Sequence, residues 1–318
     1  MATKTLDSSP SILPLYVRAA APLVPGASLL PFVPGGGGEI PDLDLQLEGV
    51  AADPAEVSAY AKVCGFALRD QLPPTYPHML AFPLQMAVMA DGGFPFGAVG
   101  LVHVENRIEQ HRPIGIGEAM TIRVRPTKLQ PHPKGRTFSL LTEVTAGGEL
   151  AWESESTMLR RGKGGEESVD PAMREESTSR EVEPFPTLPA GTPASAEWKL
   201  GGDLGRRYAG VSGDRNPIHM HSLTAKPLGF PAAIAHGMWT KARCLAALEG
   251  RLPDAFAVDV RFRKPILLPG RVEFASATEG EEILFAVRDA KRQTPHLDGR
   301  VAPLESKPKA TTGRKKAK

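Results

Sequence analysis

Asp214 and His219 stand five residues apart, with Asn216 and Pro217 between them. A tight turn at the Asn-Pro step brings a carboxylate and an imidazole to face one small cavity, where both can hold the same water molecule. Adding water to an activated alkene needs a base to take a proton from water and an acid to deliver one to the α carbon. His and Asp suit those roles near neutral pH, and such proton transfer is worth about 10²–10⁴-fold in rate. An isolated Asp and His at this spacing is more often a turn cap and a satisfied loop histidine, so the surrounding residues decide between the readings.

Those surroundings are the densest cluster of unusual residues in the chain. It runs Tyr208-Ala209-Gly210-Val211-Ser212-Gly213-Asp214-Arg215-Asn216-Pro217-Ile218-His219 and continues to Gly229-Phe230 and Ile234-Ala235-His236-Gly237-Met238. Gly213, the Asn-Pro step and Gly229 are turn makers, and a loop held by turns is where a fold usually places reactive groups. His236-Gly237 precedes an apolar run over 238–248, which puts Gly237 in the first turn of a helix with its amide unpaired. Backed by the helix dipole, that amide suits a thioester carbonyl gaining negative charge; a plain helix start with glycine chosen for backbone geometry competes with this reading. His219, His221 and His236 also form an H-x-H pair plus a third imidazole, a conceivable metal set, without a Cys or further carboxylate at ligand spacing.

From Tyr208 to Met238 the chain resembles the (R)-specific enoyl-thioester hydratases, also called hydratase 2 or MaoC-like dehydratases. The family pattern Tyr-Ala-x-x-Ser-Gly-Asp-x-Asn-Pro-Ile-His, then Gly-Phe, then Ile-Ala-His-Gly-Met is kept in order and spacing over about thirty residues. The resemblance implies an α+β double hotdog, each half an antiparallel sheet wrapped around a central helix. It implies reversible hydration of trans-2-enoyl thioesters to (R)-3-hydroxyacyl thioesters in fatty-acid metabolism, with Asp214 and His219 as the catalytic dyad and no metal or redox cofactor. It also implies that Asn216 orients the dyad and the Gly237 amide belongs to the oxyanion hole, with Ser212 and His236 in the same oxyanion or substrate-binding group. The partner would be an acyl thioester of coenzyme A or of acyl carrier protein. One departure is His221, where many members place Asp.

The elements that must position this loop show a weak internal repeat. An apolar stretch over 79–89, Gly92-Gly93, a strand-like run over 99–108, Arg112-Pro113-Ile114 and an alternating run over 119–124 are matched in order. The counterparts are 238–248, Gly250, 257–263, Lys264-Pro265-Ile266 and 271–277. One helix thus precedes several strands in each half. Pro83 is tolerable only in a first turn, which places the first helix start near Phe82. Residues 162–194 lose apolar periodicity and read as a linker, giving an N-terminal hotdog domain over 1–161, a catalytic one over 195–303, and a basic disordered tail over 304–318. The first half lacks the Gly-Asp-x-Asn-Pro-x-His pattern, so the resemblance makes it a non-catalytic partner that widens an acyl tunnel. Phe94-Pro95-Phe96 and Thr75-Tyr76-Pro77 could line that tunnel, although aromatics beside prolines are more often core packing.

At 318 residues the chain suits two domains, and 32 Gly with 31 Pro disfavour a helical bundle. The net charge of +2 rests on the terminal lysines and arginines, a solvated tail that implies no nucleic-acid partner. Cys64 and Cys244 cannot build a disulfide framework, and no signal sequence or long apolar span is visible, so the expectation is cytoplasmic with no membrane partner. Gly35–Gly38 lacks the Lys-Ser/Thr of a phosphate loop. Arg206, Arg207, Lys226, Lys241 and Arg243 flank the motif and either bind the phosphates of a carrier arm or are solvated charges. A hotdog acyl-thioester hydrolase and a non-enzymatic acyl-binding protein remain as rivals. A monomer of two hotdogs and a homodimer fit equally.

Overall fold

Strands with alternating apolar and polar residues need an apolar partner for their inner face, and two buried helices supply it. The computed structural model describes residues 3–20, 38–98, 100–162 and 185–304. The first half comprises β1 (Lys4–Leu6), α1 (Ile12–Ala20), β2 (Leu45–Val50), α2 (Pro54–Cys64), α3 (Tyr76–Met89), β3 (Leu101–Gln110), β4 (Met120–Pro126), β5 (Gln130–His132), β6 (Gly135–Ala146) and β7 (Glu149–Arg161). The second comprises β8 (Ala196–Leu200), α4 (Leu204–Ser212), α5 (Pro217–Met220), α6 (Ser222–Ala225), α7 (Gly237–Leu248), β9 (Phe256–Phe262), β10 (Gly270–Glu279), β11 (Glu282–Asp289) and β12 (Pro295–Pro303). The expected linker falls largely on 163–184 and the expected tail on 305–318, both outside the described residues, as do Gly35, Gly36 and Gly37.

The strands form one sheet in the order β1-β2-β4-β6-β7-β3-β9-β12-β11-β10-β8, with β5 on β6 off this path. The run β2-β4-β6-β7-β3 is repeated by β8-β10-β11-β12-β9, so the two halves share one topology and meet edge to edge through antiparallel β3 and β9. This is a double hotdog, with α3 and α7 as the two central helices. One apolar cluster runs through both halves, from Leu84 and Trp152 to Leu245 and Phe285. No helix among the described residues is long and apolar enough to cross a membrane.

The seam is tied on both faces. Glu105 lies opposite Arg261 and Arg107 opposite Asp259 in the β3–β9 register, and both pairs form ion pairs, at 2.8 and 2.7 Å. On the inner face Lys241 of α7 is fully buried, and its Nζ donates to Asn106 Oδ1 at 2.6 Å and to the Asn106 and Val258 carbonyls at 3.1 Å. This corrects both readings of Lys241, as a phosphate ligand and as a solvated charge: its donors are spent stitching the helix to both seam strands. Burial pushes its pKa well down. Lys241→Met keeps the stem and strands three acceptors without that donor, so a loss of about 2–3 kcal/mol is expected. Thermal unfolding should read this as a Tm fall of roughly 3–5 °C in a chain of this length.

The first central helix also differs from expectation. It starts at Tyr76, with Pro77 in its first turn and Pro83 inside, instead of near Phe82. An interior proline costs about 3 kcal/mol in an exposed helix. Here nearly the whole helix is buried under the sheet, and tertiary packing overrides the local penalty.

Candidate active site

The site is assembled by a chain of short-range bonds that begins where α4 ends. Gly213 closes that helix in the left-handed conformation (φ +75°), its amide bonding the Ala209 carbonyl at 3.1 Å. The Asp214 amide then donates to Ser212 Oγ at 3.2 Å, and the Asn216 amide donates back to Asp214 Oδ1 at 3.1 Å. Asn216 caps α5 by accepting from the Ile218 amide at 3.4 Å, Pro217 fills the first helical position, and His219 follows one turn on. Glycine at 205 lets α4 lie against the His219 backbone, since a Cβ there would run into the His219 carbonyl.

His219 is buried, and its Nδ1 donates to the Ile234 carbonyl at 2.8 Å. A carbonyl only accepts, so Nδ1 carries the hydrogen and Nε2 keeps a bare lone pair. His236, immediately before α7, uses Nε2 to donate to the Asp214 carbonyl at 3.0 Å. Its ring stacks on that of His219 with centroids 3.7 Å apart, and the same Nε2 is 3.7 Å from Asp214 Oδ2. One polar atom from each of Asp214, His219 and His236 falls within 4.8 Å of the others.

These groups line a cavity of about 540 Å³ shared by the two halves, which also takes in Gly237, Phe262, His78, Phe82, Met89 and Leu101. Phe82 and Met89 come from α3, and among the described residues the first half adds His78 and His103 to the wall but no second Asp-His pair. Gly237 is the first residue of α7. Its amide has no carbonyl a turn below to bond and is free to donate outward. The Phe94-Pro95-Phe96 and Thr75-Tyr76-Pro77 steps do not line this cavity. Phe94 and Phe96 pack on Phe138, and Tyr76 on Tyr60.

Burial raises the Asp214 carboxyl, but the imidazoles of His236 and His219, the Tyr16 hydroxyl and the Asn216 amide outweigh it, and the group ends below the usual carboxylate range. Burial depresses His219 against the opposing pull of the Asp214 carboxylate and the Ile234 carbonyl. It carries His236 down to about 3, helped by His219. Near neutral pH the site therefore holds one carboxylate and two neutral imidazoles, with Oδ2 and His219 Nε2 able to accept protons.

Of the residues singled out from the sequence, Asp214, Asn216, His219, His236 and Gly237 come together around the cavity. Ser212 is buried beneath Asp214 as a loop support, outside the cavity wall. His221 is exposed and caps α6 by accepting from the Leu223 amide, so the His219, His221 and His236 metal set does not form. The distances allow a metal only on Asp214, His219 and His236 or on Glu109, His111 and Glu153 among the described residues. Arg206 bonds the Met220 carbonyl, and Arg243 lies over the Trp198 ring, 4.9 Å from its centroid.

The residue that sequence reasoning missed is Tyr16. From α1 its hydroxyl donates to Asp214 Oδ1 at 2.7 Å and accepts from the Arg215 amide at 2.7 Å. No spacing links residue 16 to 214; the available hint was a helical stripe of Ile12, Leu15, Tyr16 and Ala19 with Leu13 and Val17 facing out.

Residues 190–299 match the family model described as "MaoC like domain". The chain is 38% identical over 298 residues, 93% of its length and 100% of the relative's, to 3-hydroxyacyl-thioester dehydratase X of Mycobacterium tuberculosis. Over 70 residues, 21% of this chain and 45% of the relative's, it is 39% identical to 3-hydroxybutyryl-CoA dehydratase of Methylorubrum extorquens. Among solved structures, the crystal structure of Mycobacterium tuberculosis HtdX superposes with a TM-score of 0.70 at 36% identity, over 82% of this chain and 100% of that one.

Proposed function

The chain belongs to the MaoC-like 3-hydroxyacyl-thioester dehydratases, and from that premise we propose that Asp214 and His219 move the protons while the Gly237 amide holds the thioester oxygen. The enzyme is a hydro-lyase of acyl thioesters. In the proposed hydration, a water is held by Asp214 Oδ2 and His219 Nε2, both acceptors. As the water oxygen bonds C3 of the enoyl group, one of the pair takes its proton. The electron pair of the double bond moves onto C2 and the carbonyl oxygen, where the Gly237 amide meets the growing negative charge. The conjugate acid formed in that step then delivers the same proton to C2, which completes the 3-hydroxyacyl thioester and restores both acceptors, and dehydration runs the same steps backward.

The observation that carries this reading is the convergence of two bare proton acceptors on a cavity that also receives an unpaired helix-terminal amide. The proposal extends to the (R) configuration of the product, to a non-catalytic first half over 1–161 and a catalytic one over 195–303, and to coenzyme A or acyl carrier protein as the carrier. Exposed Lys134, Arg161, Arg263 and Lys264 line the same cavity and suit the phosphates of either carrier arm.

The test supplies trans-2-enoyl-CoA and follows loss of conjugated absorbance alongside free thiol, with chiral analysis of the product. Absorbance loss without thiol release supports the proposal; thiol release makes the protein a hydrolase, and neither signal makes it an acyl-binding protein. Turnover is expected to survive exhaustive chelation, because a metal on His219 would occupy the lone pair that must receive the proton.

A further inference from the structure

Asp214 presents two oxygens, and the structure treats them differently. Oδ1 accepts from the Tyr16 hydroxyl at 2.7 Å and from the Asn216 amide at 3.1 Å. Among the described residues Oδ2 has His236 Nε2 as its one recorded polar neighbour, at 3.7 Å, and that nitrogen is already bonded to the Asp214 carbonyl at 3.0 Å. We propose that Tyr16 is a positioning residue: the start of the chain reaches the second half and pins Oδ1, so that Oδ2 is the oxygen that meets water and substrate. The inference rests on the assignment of Asp214 to proton transfer.

Three further observations support it. The same hydroxyl accepts from the Arg215 amide, so one side chain fixes both the carboxylate and the backbone that follows it. The helix carrying Tyr16 packs directly on Gly213, whose left-handed φ of +75° favours glycine: a Cβ there would lie 2.6 Å from Ile12 Cδ1 and push that side chain aside. Tyr16 itself is held protonated, because burial and the Asp214 carboxylate push its pKa up, so the hydroxyl is a permanent donor across the working pH range.

The groups facing Asp214 come from several elements. Tyr16 lies on α1, Tyr208 on α4, His219 on α5, His236 before α7, and His78 and His103 across the cavity on α3 and β3. Among them Tyr16 is the side-chain hydroxyl that bonds the carboxylate directly. A hydrogen bond to the anion stabilises it over the acid, so deleting the hydroxyl raises the Asp214 pKa. The acid limb of the rate profile then moves to higher pH.

The experiment compares kcat/KM against pH for the parent, Tyr16→Phe, Asp214→Asn, and Leu13→Ser with Val17→Ser, using the full chain and trans-2-enoyl-CoA. Tyr16→Phe keeps the ring packing, and its melting temperature shows that the fold is intact. It is expected to lower kcat/KM roughly ten- to a hundredfold, the effect of losing one hydrogen bond to a charged group, and to displace the acid limb upward. Leu13→Ser and Val17→Ser, at exposed positions on the outer face of the same helix, should match the parent. A Tyr16→Phe profile superimposable on the parent overturns the proposal, as does a uniform fall with the acid limb unmoved, which would mean loop support alone. If Asp214→Asn turns over normally, the catalytic assignment fails first; if it is inactive while Tyr16→Phe is unaffected, the Tyr16 inference fails by itself.

Discussion

Asp214→Asn is expected to lower kcat by roughly 10²–10⁴-fold while leaving the melting temperature nearly unchanged. The substitution keeps size and shape, and an amide oxygen in the Oδ1 position still accepts from Tyr16 and the Asn216 amide. What changes is the other corner. An NH₂ replaces Oδ2, turning a charged acceptor into a neutral donor, so the site can no longer take a proton there. His219→Gln should fall as far, since glutamine can reach the Ile234 carbonyl but offers no nitrogen lone pair to the water. The double variant should be little worse than either single, because two groups holding one water act as a unit. Steady-state rates with trans-2-enoyl-CoA check all three, and near-parent turnover in any of them removes the dyad mechanism.

The second large effect belongs to a backbone hydrogen. Gly237 occupies the first position of α7 and His236 before it is extended at φ −68°, ψ 137°, the geometry that a following proline requires. Gly237→Pro therefore deletes the amide hydrogen with little demand on the helix. Any side chain at this position crowds Phe262, whose ring would lie 3.0–3.2 Å from a new Cβ, so Gly237→Ala is the matched control. The proline variant is expected to fall a further 10²–10³-fold in kcat below the alanine variant, about the worth of one oxyanion donor. Equal rates for the two would mean that the thioester oxygen is held elsewhere.

The site was legible in the sequence where its geometry is local. Asp214, Asn216 and His219 are placed by a glycine cap, an asparagine cap and a proline within a few residues, and each of those devices announces itself by residue type. The tautomer of His219 was not legible, because the Ile234 carbonyl reaches Nδ1 only after the loop has turned back on itself. Tyr16 was invisible for a stronger reason: its bond spans 198 positions and depends on α1 docking at Gly213. Lys241 was misread although a signal existed. It shares the helical stripe of Met238, Ala242 and Leu245, and a charge on a buried stripe should have suggested internal partners before phosphate or solvent. The repeated element order was visible from alternation, yet alternation reports faces and not neighbours, so the joining of the halves through β3 and β9 had to come from the structure.

That junction also decides how the second half would behave by itself. Excised from its twin, the second half would keep the Asp214–His219 loop but expose the β9 backbone as a bare ribbon, lose one wall of the shared cavity and forfeit the clamp from residue 16. An unpaired ribbon of this kind recruits whatever strand it meets. Its best match would be another β9, and two fragments would then rebuild between molecules the junction that the intact polypeptide makes within itself.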